Sequence, residues 1–381
     1  MKSGNLLAGA ARVDITPRTP QFLAGYGARN HPSTGIHDPI SMRALYVRDP
    51  GGVEAVVISA DILWLGSWMP GRIRELVGGQ LGIPRERLAL FGVHTHSAPG
   101  NRGEPDNYRE WLEGVAGKAL AAIALAKGRA RPAIIKTARG KSMIGINRRE
   151  RTKDGRIILG KNPGGPIDRE LVAVGVDGTD GKPVARLANF ACHGVVMGQE
   201  SYKVSGDWCG NAARIIEKRY GEAPFLFLNG GCGNVNSRIG PQNSFAPVKL
   251  LAGEFGRDFK AAERKFLPLR GPARIAGKER KIRLPGKDGK PREVMLKGLR
   301  IGPLVIVGFP GEMFSETVMA VKRAFPGRAV MVCSYSEDSL KGYLPVKEAY
   351  AEGGYEIGAS PYSSGAEAIV RRELIRLVGS L

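Results

Sequence analysis

The chain has 381 residues, of which 43% are hydrophobic and 24% charged, a balance that excludes a disordered protein. Lysine and arginine number 57 against 36 aspartates and glutamates, and the resulting formal charge of +21 favours anionic partners. No apolar run reaches the roughly 18 residues that span a bilayer, and the start of the chain is too weakly apolar for a secretory signal. We therefore expect a cytoplasmic protein without a transmembrane segment.

Short apolar runs typical of β-strands recur along the chain, with amphipathic patterns typical of helices between many of them. The predicted strands cover residues 43–47, 55–59, 88–93, 171–176, 185–191, 225–228, 304–309 and 329–333. The predicted helices cover residues 106–127, 207–219, 248–266, 315–325 and 364–378. This alternation predicts an α/β fold of layered sheets flanked by helices, and we expect residues 1–381 to form a single large domain.

Two Lys-Asp-Gly turns, at residues 153–155 and 287–289, indicate antiparallel hairpins, so the sheets are expected to be mixed. Residues 278–300 around the second turn contain nine basic residues, three acidic residues and no aromatic residue. Single-stranded nucleic acid needs aromatic side chains on which its bases stack. This stretch therefore predicts a solvated basic face with weak, nonspecific polyanion binding.

The four cysteines of the chain form no CxxC pair. This spacing gives no indication of a structural zinc site or of a redox motif. We expect all four to be reduced, small core residues.

The most informative segment is residues 88–100, LALFGVHTHSAPG, in which an apolar run leads to His94 and His96. Alternate side chains of an extended strand share a face, so both imidazoles are expected to point at one spot. A second apolar stretch runs into His193 and Gly194. One histidine after a strand is commonly a hydrogen-bonded structural residue, but two such strand ends indicate a metal site.

A carboxylate that would complete such a site is Glu312, in the sequence GFPGEMF after another predicted strand. Two imidazoles and one carboxylate suit a catalytic divalent metal, most simply zinc, so His94, His193 and Glu312 are the candidate ligands. Taken alone, Glu312 fits equally well as an exposed acid near the start of the helix expected at residue 315.

Tyrosines follow the last predicted strand, at positions 335, 343, 350 and 355. They either anchor a polar loop on the core, ligate a metal, or donate a hydrogen bond to a developing oxyanion. The spacing alone leaves these alternatives open.

In their order along nearly the whole chain, these segments resemble the catalytic domain of the neutral/alkaline (non-lysosomal) ceramidases, a family of zinc-dependent amidases. HTHS followed by ACH is the most specific part of the match. The matching segments are DITP (14–17), GYG (25–27), GIHDP (35–39), SAD (59–61), HTHSAPG (94–100), NR (147–148), NFACHG (189–194), SGDW (205–208), the loop 229–237, PGE (310–312), GY (342–343) and GYE (354–356).

The resemblance implies a role for individual residues. It implies that Zn²⁺ is bound by His94, His193, Glu312 and Tyr343. It implies that the substrate carbonyl is contacted by His96, Arg148 and Tyr355, and the twelve residues from Tyr343 to Tyr355 match the family spacing. For Arg148 the alternative is one more cation in the basic run NRRER.

The chain departs from the family in its glycine-rich loop, where the family has a serine that is important for activity. Here the loop reads GNVNSR, so Asn236 takes that position with Ser237 beside it, and the sequence leaves open which of them replaces the serine. We count Asn236 among the catalytic candidates and expect a substrate other than ceramide. We also expect no C-terminal immunoglobulin-like domain of the kind that ceramidases carry.

We therefore expect a zinc-dependent hydrolase that cleaves an amide (N-acyl) or related acyl bond of a soluble small molecule. The basic charge favours an anionic substrate, although charge far from the site would give the same total. The alternative is a non-catalytic protein that binds polyanions or nucleic acid on the same scaffold. The oligomeric state is not determined by the sequence.

Overall fold

The computed structural model describes residues 6–102, 105–337 and 342–381. Its strands are β1 (Leu6–Asp14), β2 (Gly35–Ile36), β3 (Ser41–Arg48), β4 (Glu54–Ala60), β5 (Leu88–Gly92), β6 (Arg131–Lys141), β7 (Gly145–Arg151), β8 (Ile157–Asn162), β9 (Glu170–Gly178), β10 (Pro183–Phe190), β11 (Lys203–Val204), β12 (Phe225–Asn229), β13 (Val235–Ser237), β14 (Leu267–Pro268), β15 (Ile275–Pro285), β16 (Pro291–Ile301), β17 (Leu304–Gly308), β18 (Glu312–Met313), β19 (Val330–Cys333) and β20 (Tyr343–Leu344). Its helices are α1 (Trp68–Leu81), α2 (Pro105–Gly128), α3 (Asp207–Arg219), α4 (Ala246–Glu263), α5 (Ser315–Arg323), α6 (Lys347–Glu352), α7 (Tyr355–Ala359) and α8 (Ala366–Gly379).

Two sheets form the centre of the fold. The larger has nine strands in the order β12-β10-β9-β6-β1-β3-β4-β5, with β14 beside β6. Its β10–β12 and β4–β5 pairs are parallel and its other pairs are antiparallel, so the sheet is mixed as predicted. The smaller sheet has the order β15-β16-β17-β19.

The sheets and helices pack as four layers. One apolar core lies between the two sheets and includes Val57 of β4 and Ile306 of β17. Side chains of α1 and α2, and of α3 and α4, form two further cores with the outer face of the large sheet, and α5 and α8 pack on the outer face of the small one. In β4, Val57 faces the inner core whereas Val56 and Ile58 face the helices, as the two-residue period of a strand requires.

All of the predicted strands and helices are present, and both predicted Lys-Asp-Gly turns join antiparallel strands, β7 to β8 and β15 to β16. Helix α1 was not expected from the sequence, because Pro70 and three glycines lower its intrinsic helix propensity. Burial of Met69, Ile73 and Val77 against the large sheet stabilises it instead.

The cysteines agree with their predicted role. All four, Cys192, Cys209, Cys232 and Cys333, are free and buried. Among the described residues, no helix has both the length and the apolar character needed to cross a bilayer. The cytoplasmic location stays a prediction.

Candidate active site

Loops that leave several central strands meet at one end of the two sheets. A bridge between Thr95 and Gly194 joins the loop after β5 to the loop after β10. The N–H of Gly233, in the loop after β12, donates to the carbonyl of Met313 in β18. These contacts bring His94, His193 and Glu312 together although each follows a different strand.

His94 and His96 converge, but not for the reason that the sequence suggested. Strand β5 ends at Gly92, and His94 has a left-handed backbone with φ of 72°. The alternation of an extended strand is therefore not what aims the two rings. The left-handed turn brings their Nε2 atoms to 3.2 Å, and ring nitrogens of His94, His96 and His193 lie within 4.8 Å of one another.

The protonation of His94 and His193 is set by backbone carbonyls. His94 Nδ1 lies 3.1 Å from the oxygen of Leu63, and His193 Nδ1 lies 2.7 Å from that of Cys232. Burial lowers the pKa of both imidazoles well below the ordinary value, so each is neutral at pH 7. A neutral ring that donates through Nδ1 presents an unprotonated Nε2 to the site, which is the form that binds a metal.

Glu312 is 2% exposed, so the interpretation of this residue as an exposed helix-terminal acid is wrong. Its Oε2 lies 3.1 Å from His193 Nε2, and its Oε1 lies 3.8 Å from His94 Nε2. Oε2 has no hydrogen-bond donor among the described residues. Lone pairs of a carboxylate and an imidazole that face each other repel, and a cation between them removes that repulsion, so this donor set fits a divalent metal.

Tyr343 is placed beside Glu312 by strand pairing. Strands β18 and β20 are parallel and put the two residues in register. Burial, and after it the charge of Glu312, raises the pKa of the phenol well above its ordinary value. Tyr343, His94 and Glu312 line the same cavity, so the four residues predicted as zinc ligands occupy one place.

Arg148 lies in β7 and is 4% exposed, and its buried contacts with other side chains argue against the alternative that it is merely one more cation in the basic run NRRER. Its Nη1 donates to Asn236 Oδ1 at 3.2 Å and lies 3.1 Å from His193 Nε2, whereas Nη2 is buried and makes no hydrogen bond of normal geometry within the described part of the chain. Ser237 Oγ instead donates to the carbonyl of Val195 at 2.6 Å. Of the two candidates for the family serine position, Asn236 is therefore the one that contacts Arg148.

A carboxylate that sequence reasoning missed holds Arg148 in this position. Glu356 is fully buried and accepts from Arg148 Nε at 2.8 Å and from Arg149 Nη1 at 2.8 Å. Burial lowers the pKa of Arg148, but the charges of Tyr343 and Glu356 outweigh it, so the pKa lies above its ordinary value. The only signal in the sequence was the place of Glu356 directly after Tyr355 in GYE.

A cavity of about 650 Å³ opens beside these residues. Its lining includes His96, Tyr343 and Tyr355, of which Tyr355 is 52% exposed and lies with its ring centre 5.7 Å from that of Tyr343. The lining also includes apolar and aromatic residues: Leu63, Trp64, Leu65, Trp68, Met69, Tyr108 and Leu112. Such a cavity suits a small molecule that has an apolar part and a polar group near the histidines.

The first glycine of the GYG motif makes room for His96. Gly25 has φ of 92°, and a Cβ at this position would lie 2.3 Å from Cγ of the imidazole. Burial lowers the pKa of His96 well below its ordinary value. The ring is therefore neutral and carries a single N–H.

The predicted basic hairpin, β15 and β16, carries several ion pairs. Lys281 and Arg283 both contact Glu293, and Arg292 contacts Asp288. Because these carboxylates lie among the cations, the face presents a weaker field than the basic residue count suggests. It offers little support for a site dedicated to polyanions.

Several known proteins are similar to this chain in sequence or in fold. The profile of a family described as "Neutral/alkaline non-lysosomal ceramidase, N-terminal" matches residues 6–226. Neutral ceramidase 2 of Arabidopsis thaliana is 25% identical over 271 residues, which cover 66% of this chain and 34% of that protein. Neutral ceramidase A of Dictyostelium discoideum is 23% identical over 379 residues, which cover 94% of this chain and 48% of that protein.

Solved structures agree in fold. The crystal structure of neutral ceramidase from Pseudomonas aeruginosa matches with a TM-score of 0.82 and 17% identity, covering 98% of this chain and 74% of that one. A ceramidase complexed with C2 matches with a TM-score of 0.80 and 16% identity, covering 98% and 75%. The chain thus spans most of each solved structure but less than half of the Arabidopsis and Dictyostelium proteins.

Proposed function

Because the chain belongs to the neutral/alkaline non-lysosomal ceramidase family, we propose that it is a zinc-dependent hydrolase of amide (N-acyl) or related acyl bonds. One observation carries the proposal. A buried carboxylate oxygen of Glu312, to which no described residue donates a hydrogen bond, lies 3.1 Å from the imidazole Nε2 of His193, beside a cavity. Because His193 donates through Nδ1, this Nε2 is unprotonated. An arrangement of acceptors without a cation is unfavourable, which supports a metal site.

The residues of the site divide into two groups. His94, His193, Glu312 and Tyr343 would hold the ion, and the chemistry that zinc supplies when bound is Lewis acidity, which polarises a carbonyl and lowers the pKa of water toward about 7. The second group stabilises the oxygen on which negative charge develops, and it comprises His96, Arg148, Tyr355 and Asn236.

Within the second group, Arg148 is the fixed positive charge. Glu356 and Asn236 accept from its Nε and Nη1, and the buried Nη2, near Tyr343, makes no hydrogen bond of normal geometry to a described residue. A donor that is already oriented and shielded from water stabilises a developing oxyanion without reorganisation. The phenol O–H of Tyr355 and the single N–H of His96 add two further donors to the lining of the cavity.

We infer that the substrate is a soluble small molecule with an apolar acyl group rather than ceramide. Asn236 brings an amide to the position at which the family has a hydroxyl, and the hydroxyl of Ser237 is committed to backbone carbonyls. The apolar part of the cavity lining suits an acyl chain or an aromatic acyl group. Arg102 also lines the cavity and offers a partner to an anionic group of the substrate.

The proposal is tested by elemental analysis of purified protein, followed by a screen of N-acyl amino acids, N-acyl amino sugars, cyclic amides, esters and ceramide. We expect one zinc per chain and faster turnover of a soluble N-acyl compound than of ceramide. His94→Ala should lose both metal and turnover. His31→Ala is the matched control, because His31 is exposed and stacks on Tyr202 away from the site. Protein that binds no stoichiometric transition metal would refute the proposal.

A further inference from the structure

Tyr335 lies in the loop that follows β19 and contacts the segments that carry His94 and Glu312, and also Cys232, whose carbonyl accepts from His193. It is 2% exposed, and its backbone is left-handed with φ of 55°. A bulky residue seldom adopts this conformation, and it persists only where the surrounding structure determines it. The contacts of its ring, hydroxyl and backbone explain why the conformation is kept here.

The ring of Tyr335 lies flat on the imidazole of His94. The two ring centres are 4.0 Å apart and the planes are inclined by 13°. At its edge, the His94 ring is held through Nδ1 by the carbonyl of Leu63. Stacking therefore restricts rotation of the imidazole out of the plane in which Nε2 points at Glu312.

The hydroxyl of Tyr335 reaches the second histidine through Cys232. The phenol oxygen and Cys232 Sγ are 2.9 Å apart, in hydrogen-bond contact. The carbonyl of the same cysteine accepts the proton of His193 Nδ1 at 2.7 Å. Tyr335 thus fixes the residue that orients His193.

The backbone of Tyr335 reaches the carboxylate segment. Its N–H donates to the carbonyl of Gly311, which directly precedes Glu312, and its carbonyl accepts from Gly92, the last residue of β5. A single residue therefore ties the end of β5, the loop after β12 and the start of β18 to one another.

We propose that Tyr335 is a positioning residue that holds His94, His193 and Glu312 in the geometry that binds the metal. This inference rests on the proposed metal site and goes beyond it, because Tyr335 contributes no ligand atom. Groups that orient metal ligands from behind commonly change metal affinity by 10- to 100-fold when they are removed.

The test measures zinc affinity of apo protein by competition with a chelator, and the visible absorption spectrum of the Co²⁺-loaded protein, without reference to turnover. Tyr335→Leu removes the stacking and the hydroxyl, and we expect zinc Kd to rise 10- to 100-fold with a changed Co²⁺ spectrum. Tyr335→Phe removes only the contact with Cys232, and we expect a rise of about three- to tenfold.

The matched control is Tyr46, which is also 2% exposed and hydrogen-bonded through its hydroxyl, to Glu54 at 2.6 Å, and which does not line the cavity. Tyr46→Leu and Tyr46→Phe should lower thermal stability but leave zinc Kd within twofold. Unchanged Kd in both Tyr335 variants, or an equal loss in the Tyr46 variants, would overturn the positioning role. If Tyr335→Leu does not fold, Tyr335→Phe alone decides. A wild-type protein that does not bind zinc refutes the proposed function itself, so the two failures are distinct.

Discussion

Glu356→Gln is the substitution whose effect follows most directly from the structure. The carboxylate of Glu356 accepts from Arg148 and Arg149 at 2.8 Å each, and all three side chains are nearly inaccessible to water. Glutamine has almost the same shape but only one acceptor oxygen. Its amide NH₂ must face one of the two guanidinium groups, so a donor meets a donor. Both arginines lose the charge of Glu356, and of the two only Arg149 keeps a second carboxylate partner among the described residues, Glu352.

The substitution removes one partner of a buried ion pair, and this should lower the free energy of unfolding by about 3–5 kcal/mol. Unfolding entropy is about 2.1 cal/mol/K per residue, so for 381 residues the melting temperature should fall by about 4–6 °C. Because Arg148 loses the contact at Nε, it also leaves its position in the site. A displacement of about 1 Å at such a group costs about 10²-fold in kcat/KM.

Three measurements check this prediction: calorimetric Tm, kcat/KM on the best substrate, and zinc content, which should stay at the wild-type value. Glu352→Gln is the matched control, because Glu352 pairs with Arg149 and Arg151 but its side chain is 41% exposed. Exposed pairs contribute about 0–1 kcal/mol, so Tm and kcat/KM should change little. A Glu356→Gln protein that behaves like Glu352→Gln would refute the reasoning.

Three further outcomes are expected. Glu312→Gln should lose zinc, whereas His96→Ala should keep zinc and lower kcat about 10²- to 10³-fold. The zinc content of both variants is measured by elemental analysis. Equal zinc loss in both would instead place His96 among the metal ligands. Burial lowers the pKa of Lys297 from its ordinary value of 10.5 to about 7, although the charge of Glu279 opposes this shift. Between pH 7 and pH 10.5, Lys297 is therefore mostly deprotonated in the native protein and mostly protonated in the unfolded chain. Stability should rise with pH across this window and should lose that rise in Lys297→Met, as urea unfolding at pH 7 and pH 9 would reveal. Asn236→Ser restores the family residue and should raise ceramide hydrolysis relative to the soluble substrate, whereas an unchanged ratio in parallel assays would show that Asn236 does not set the preference.

Local sequence patterns predicted regular elements where burial and periodicity agree. Strand β4 is buried on both faces and reads as a continuous apolar run, and α3 begins and ends at the predicted residues. Helix α1 was missed because Pro70 and its glycines oppose a helix locally, and only packing on the large sheet compensates. Helix propensity depends only on the local sequence, so a prediction based on it fails where tertiary contacts contribute more to stability.

The residues of the candidate active site also divide into those that local sequence patterns revealed and those that only the structure revealed. His94 and His193 were recognisable because each follows an apolar run. Glu356 carried no such pattern, and the place of Tyr335 after the last predicted strand left its role open. Their contacts join residues far apart in the chain, such as Glu356 to Arg148 and Tyr335 to Cys232, and sequence spacing holds no information on such pairs.

The sequence by itself determined the α/β class, the strand ends at which chemistry gathers, and the identity of the side chains that suit a metal, because hydrophobic periodicity and donor chemistry are properties of short segments. The tertiary structure alone decided that Glu312 and Arg148 are buried, that Asn236 rather than Ser237 contacts Arg148, and that the left-handed turn at His94 aims its ring. Burial and orientation depend on which distant loops meet, and that is settled only when the sheets and helices pack together.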